Sequence, residues 1–114
     1  MVGAEGNLRM GKKDVLNILL RFKESLERNH IHVDRLILFG SWAKGTQQEG
    51  SDIDVVVISK DFENKNYWER IEILSKAIYQ VFQPIEAVAM TPQEWDSKES
   101  PVCEFAKQGE VITA

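Results

Sequence analysis

The sequence predicts an α/β domain in which helices cover a small mixed sheet. Three observations carry that expectation. Residues 12–28 place Val15, Leu19, Phe22 and Leu26 at helical spacing. Residues 35–39, 52–58 and 85–90 are short apolar runs of strand length, rich in Val, Ile and Ala. A second helical stripe falls between the last two runs, so helices and strands alternate along one compact chain.

Each element follows from local chemistry. In the first helix Leu16, Ile18 and Leu20 widen the stripe, while Arg21, Lys23, Glu24, Glu27 and Arg28 supply a solvated face. Arg35-Leu-Ile-Leu-Phe39, stopped by Gly40, reads as a buried strand. Residues 40–50 are polar and contain three glycines. Residues 52–58 form a second strand whose apolar tail on both faces suits a central position. Residues 60–65 read as a charged, solvated loop. Asn66 with Glu69 is a capping box, opening a helix with the stripe Trp68, Ile71, Leu74, Ile78 and Val81; Pro84 closes it. Residues 85–90 are the third strand. Thr91-Pro92 with Glu94 starts one short helix, and Ser100-Pro101 starts another that Gly109 ends. Val111 and Ile112 add an edge strand.

The chain has 114 residues, 43% hydrophobic and 28% charged, which suits one domain and excludes intrinsic disorder. Residues 1–11 read as a flexible leader, with Met10 as an alternative start, and residues 12–114 as the domain. No run is apolar enough to cross a bilayer, and the first ten residues lack a secretory signal's apolar block. A lone Cys103 excludes an intramolecular disulfide framework and fits a reducing, cytoplasmic setting. The net charge of -4 disfavours independent nucleic-acid binding but leaves room for a local anion site.

The chemistry concentrates in residues 38–58. Gly40-Ser41 follows the first strand directly, and Asp52-Ile53-Asp54 opens the second after ten intervening residues. Alternate strand residues share a face, so Asp52 and Asp54 project together. Two neighbouring carboxylates repel, and a cation relieves them. Mg²⁺ suits, because it takes one or two carboxylates and completes its shell with phosphate and water. Gly40 permits a tight exit and a close backbone approach. Residues 41–44 can form a short helix whose free amides face a phosphate, with Ser41 adding a hydroxyl and Lys44 a positive charge. Glu86 is the acid of an otherwise apolar third strand. If that strand neighbours the second, Glu86 joins Asp52 and Asp54, and three acids beside a triphosphate site describe two-metal nucleotidyl transfer. Gly-Ser or Asp-x-Asp alone marks only a turn or a strand end; their fixed relation carries the reading.

At these residues the chain resembles the nucleotidyltransferase superfamily with the DNA polymerase beta-like fold, and most closely its minimal nucleotidyltransferases. The signature, Gly-Ser, ten residues, Asp-x-Asp, is intact. The likeness runs from the first helix to the C-terminus, including Thr91-Pro92-Gln93-Glu94-Trp95 and Gly109-Glu110-Val111-Ile112, and is specific mainly at the signature. It implies a four-stranded mixed sheet, ATP as donor and Mg²⁺ as cofactor. Gly40 and Ser41 would contact the triphosphate, and Asp52, Asp54 and Glu86 would form the catalytic, metal-holding set. The family's third acid is commonly aspartate, and its turn often carries arginines where this chain has Trp42 and Lys44. Minimal members often pair with a HEPN-domain toxin, some transferring AMP onto a toxin tyrosine. The resemblance thus implies a HEPN-type partner and an antitoxin role.

The alternative is a non-catalytic nucleotide-binding antitoxin that neutralises its partner by contact. Transfer to RNA or a small molecule is weaker, since such enzymes add acceptor-binding domains. So short a domain is expected to draw its acceptor from outside; homo-oligomerisation stays open. His30 and His32 lack further zinc ligands. Cys103, Trp68 and Trp95 read as packing residues. Trp42, inside the phosphate turn, is left between stacking on a base, facing a partner and simple exposure.

Overall fold

The computed structural model describes residues 10–113. Most of the expected leader lies outside them. The elements are α1 (Lys12–Arg28), β1 (Arg35–Phe39), α2 (Ser41–Lys44), β2 (Ile53–Ile58), α3 (Tyr67–Val81), β3 (Ile85–Met90), α4 (Pro92–Ser97), α5 (Pro101–Ala106) and β4 (Glu110–Thr113). A short 3₁₀ turn, Lys60–Phe62, follows β2.

The four strands form one mixed sheet in the order β3-β2-β1-β4. β1 runs antiparallel to β2 and β4, and β2 runs parallel to β3. β2 is therefore central, as its two-sided apolar content requires, and β4 is an edge strand. Side-chain alternation divides the interior in two. Leu36, Leu38, Ile53, Val55 and Val57 join Val15, Leu19, Phe22 and Leu26 of α1 and Leu74 and Ala77 of α3 in the main core. Ile37, Val56, Ile58 and Met90 face the other way and meet Cys103 and Ala106 of α5. Cys103 is buried and unpaired, as its apolar neighbours predict.

Ser25 is fully buried in α1, where its Oγ lies 3.2 Å from the Ala77 carbonyl and 2.5 Å from the Gln80 side chain of α3. This polar link joins the two long helices within an apolar layer. Among the described residues no helix is long and apolar enough to cross a membrane.

Three readings of individual side chains change. Leu20 is 45% exposed and does not widen the α1 stripe. Trp68 is 74% exposed rather than packed. It lies in the first turn of α3, before the buried positions Leu74, Ala77 and Val81, and meets Tyr67 edge-on at 5.2 Å. The charged segment after β2 is not simply solvated, because Phe62 within it is fully buried. Arg70 holds that segment. Its Nε donates to the Lys65 carbonyl at 3.0 Å and a guanidinium nitrogen donates to the Phe62 carbonyl at 2.9 Å. A further nitrogen meets Glu94 of α4 at 2.6 Å.

Gly109 has no room for a side chain at the entry to β4. An added Cβ would stand 2.5 Å from the Leu38 carbonyl oxygen and 2.9 Å from that of Ala106. Both obstacles are backbone, so the strand must shift to admit a methyl group. Gly109→Ala is expected to cost about 1–3 kcal/mol, read from the urea midpoint. An unchanged midpoint would show that β4 yields freely.

Candidate active site

The site is built where β1 ends beside the start of β2. Gly40 sits at φ +73° and ψ -153°, a conformation open to glycine and strained for other residues. An added Cβ there would collide with Asp54 Oδ2 and stand 3.1 Å from Asp54 Cγ. The Asp54 carboxylate is therefore lodged against the backbone of the Gly40 turn.

α2 follows at once, capped by Gly40 and ended by left-handed Gly45. The Lys44 amide donates to the Gly40 carbonyl at 3.1 Å, and Thr46 to the Ser41 carbonyl at 3.0 Å. Trp42 is 6% exposed and belongs to the main core. It therefore neither stands ready to stack on a base nor faces a partner, and simple exposure is excluded as well. One apolar anchor in a four-residue helix fixes the turn against the sheet.

Strand pairing assembles the acids. Asp54 lies opposite Phe39 of β1 on one side and Glu86 of β3 on the other. Parallel in-register pairing puts Asp54 and Glu86 on the same face, and Asp52 precedes β2 by one residue. Asp54 is half-buried, while Asp52 and Glu86 are exposed. Burial first, then the charges of Glu86 and Asp52, raise the Asp54 carboxyl above its ordinary range. Lys44 is exposed at the far end of α2 from Gly40 and forms no ion pair among the described residues. The structure thus brings Gly40, Asp54 and Glu86 together with nearby Asp52; Ser41 follows Gly40 in the chain, and Lys44 lies one helical turn on, its backbone amide bonded to the Gly40 carbonyl.

Among the described residues no three His, Cys, Asp or Glu side chains stand close enough to cage a metal unaided. The donor set still fits Mg²⁺, which needs few carboxylates when phosphate and water complete its shell. The Asp54 carboxyl, destabilised by burial and by like charge, is a group such a cation would relieve. His30 and His32 are exposed and stand apart from these acids in the fold, as expected of loop histidines. The sequence reading missed Arg70, whose trace is its place in the first turn of α3, one residue after the capping Glu69.

A family model described as nucleotidyltransferase domain matches residues 19–104, about three quarters of the chain. The chain belongs to the nucleotidyltransferase domain family. Two curated relatives come from Methanocaldococcus jannaschii. The chain is 37% identical over 65 residues to "Putative protein adenylyltransferase MJ1215", covering 51% of this chain and 74% of the relative. It is 37% identical over 49 residues to "Putative protein adenylyltransferase MJ0141", covering 42% of this chain and 50% of that one. Among solved structures, a protein described as "a putative nucleotidyltransferase from Sulfolobus solfataricus" superposes with a TM-score of 0.67 at 19% identity, over 88% of this chain and 80% of that one. A structure described as "the toxin-antitoxin with AMP-PNP" gives 0.61 at 23% identity, over 87% and 73%. These likenesses establish the fold expected from the signature: the nucleotidyltransferase fold with its four-stranded mixed sheet.

The raised Asp54 pKa has a definite sign for stability. The native carboxyl keeps its proton to higher pH than the unfolded one, whose ordinary value is 3.8. This group's contribution is therefore full below the unfolded value and is lost as pH rises through the native one. Asp54→Asn is expected to melt higher than the parent at pH 7 in EDTA and to lose that advantage below the unfolded value. Melting curves across pH check this; a variant that melts lower at pH 7 contradicts it.

Proposed function

We propose that this nucleotidyltransferase transfers AMP from ATP to a hydroxyl on a partner protein, a tyrosine of a HEPN-type toxin, and so acts as an antitoxin. The observation that carries the reading is the Asp54–Glu86 pair in strand register beside a glycine turn lodged against Asp54. Donor nucleotide and acceptor hydroxyl would meet over these acids.

In this reading the Gly40-Ser41 turn holds the triphosphate through backbone amides and the Ser41 hydroxyl. Asp52, Asp54 and Glu86 would hold Mg²⁺, which when bound would neutralise charge at the phosphates and acidify the attacking hydroxyl. Glu86, the more exposed of the two paired acids, takes the acceptor's proton. The acceptor oxygen bonds to the α-phosphorus as the α–β bridging P–O bond breaks, and pyrophosphate leaves with the bond electrons. The rigid turn and sheet contribute by positioning, since the protein forms no covalent bond. The names of the Methanocaldococcus jannaschii relatives support a protein acceptor, and the toxin–antitoxin structure that shares the fold supports a toxin.

A contact-only antitoxin is the second reading. It is favoured by Trp42, which is buried in the core and gives the phosphate turn no charge where the family often carries an arginine. One experiment separates the two. The chain is incubated with the product of the neighbouring reading frame, ATP and Mg²⁺, and intact masses are measured. A single AMP adduct on the partner is expected, slowed about 10²-fold or more in Asp54→Asn and about tenfold or more in Glu86→Gln. Full neutralisation by Asp54→Asn without any adduct establishes the contact-only role.

A further inference from the structure

The two edges of the sheet are unlike. β4 has four residues, and its register with β1 shifts between Leu36 and Ile37. Short length and irregularity are ordinary ways to blunt an edge. β3 has six residues, Ile85-Glu-Ala-Val-Ala-Met90, in unbroken register with β2, and contains neither proline nor lysine. The bonds flanking the β2–β3 ladder run from the Ile53 amide to the Pro84 carbonyl and from the Ser59 amide to the Met90 carbonyl, at 2.9 Å each. In a parallel pair such groups alternate along the strand. Residues 84, 86, 88 and 90 thus face β2, and Ala87 and Ala89 turn their amides and carbonyls to the open side. Neither residue has another backbone or side-chain hydrogen-bond partner among the described residues.

A groove of about 780 Å³ runs along that side. Its floor is Ala87, Val88 and Ala89; Ile71 and Leu74 of α3 form one wall, and the region from Glu94 to Ser100 forms the other. Glu86 also lines it, so the groove reaches the β3 member of the carboxylate set. The Gly40-Ser41 turn lies across the sheet at the β1 side, which leaves β3 as the opposite approach to the acids. The rim is acidic on balance. Arg70 is engaged with Glu94, and of the remaining charged groups Glu86 and Glu99 oppose the single Lys65.

We propose that β3 receives an extended, basic, hydroxyl-bearing segment of the acceptor protein as a fifth strand, delivering its hydroxyl to Glu86. This rests on the transfer reading above for its purpose, although the docking edge is defined by geometry alone. Main-chain bonds at Ala87 and Ala89 supply register, and the acidic rim selects a basic segment.

The probe is a synthetic heptapeptide, Val-Lys-Val-Tyr-Val-Lys-Val, blocked at both ends, with a control in which glutamate replaces lysine. Amide hydrogen exchange is followed residue by residue by NMR on the full chain. Saturating lysine peptide is expected to slow exchange at Ala87 and Ala89 about tenfold or more while changing Glu86 and Val88 little. The glutamate peptide is expected to give no protection. Ala89→Pro removes one outward amide and no bond to β2, so it should abolish peptide protection and retain the melting shift caused by Mg²⁺ and ATP. If that variant does not fold, exchange in the unaltered chain decides alone. Unchanged exchange at Ala87 and Ala89 overturns the proposal, as does equal protection by the acidic peptide. Protection that grows with protein concentration and needs no peptide assigns the edge to a second copy and overturns it too. Peptide protection without a melting shift from Mg²⁺ and ATP would uphold the docking edge while removing the transfer reading.

Discussion

The parallel pairing of β2 with β3 is the constraint on which the site depends. It sets Asp54 beside Glu86, while the antiparallel pairing of β2 with β1 lodges Asp54 against the Gly40 turn, so that like charges gather at one place. At the roughly 5 Å spacing of neighbouring strands and an effective dielectric of about 20, two such charges repel by about 3 kcal/mol. Exposure of Glu86 lowers that. Opposing it, Val55, Val56 and Val57 of the same strand are fully buried, and such a side chain contributes roughly 1.5–3 kcal/mol on burial. The apolar half of β2 therefore holds its acidic end in place. A one-residue slip would turn Asp54 toward the main core and expose Val55, which makes the register strongly specified.

The surroundings of this pair are held from both faces. On the main-core face α1 and α3 cover the odd-numbered positions of β2, and Ser25 joins those helices at Ala77 and Gln80. On the other face α5 places Cys103 and Ala106 over Val56 and Met90. Arg70 connects the layers at the β3 side by binding the carbonyls of the 3₁₀ segment and the carboxylate of Glu94. That same Glu94 completes the Thr91 cap of α4 and is held below the usual carboxylate range, first by the Arg70 hydrogen bond. Loss of Arg70 would therefore loosen the 3₁₀ segment, the start of α3 and α4 together.

Much of this was legible in the sequence because the signals were local. Helical spacing located α1, β-branched runs located β1 and β2, and the Asn66/Glu69 and Thr91/Glu94 capping boxes located two helix starts, both formed as written. The acids on β2 could be placed on one face by period alone. Their partner on β3 could not, since that required knowing which strand β3 joins. Aromatic residues were the least legible. Trp42 sits among polar turn residues yet fills the core, while Trp68 begins an apolar stripe yet lies in solvent. Phe62 is fully buried within a charged segment. In each case a single large side chain meets, or fails to meet, a surface formed by distant parts of the chain, and no local period records that. The open edge of β3 is invisible for the same reason, because an edge is a property of strand order.

Electrostatics gives the proposed site a further property. Asp54 is lodged against the Gly40 turn with Glu86 beside it in register, and the basic residue of α2, Lys44, lies in its last turn. In the transfer reading, a triphosphate brought to this turn meets the negative charge of these carboxylates. Backbone amides and one serine hydroxyl supply direction but little net charge. On the proposed function, nucleotide and cation are therefore expected to favour one another's binding, and by linkage the increase in affinity is the same whichever is bound first. Arginines in the turn would weaken that mutual dependence by answering the phosphate charge themselves. With Trp42 committed to the core instead, the turn gains a fixed shape and no charge from that position. The acidic balance of the β3 groove extends the same logic to the acceptor, for which positive charge on the incoming segment complements the field that the carboxylates create.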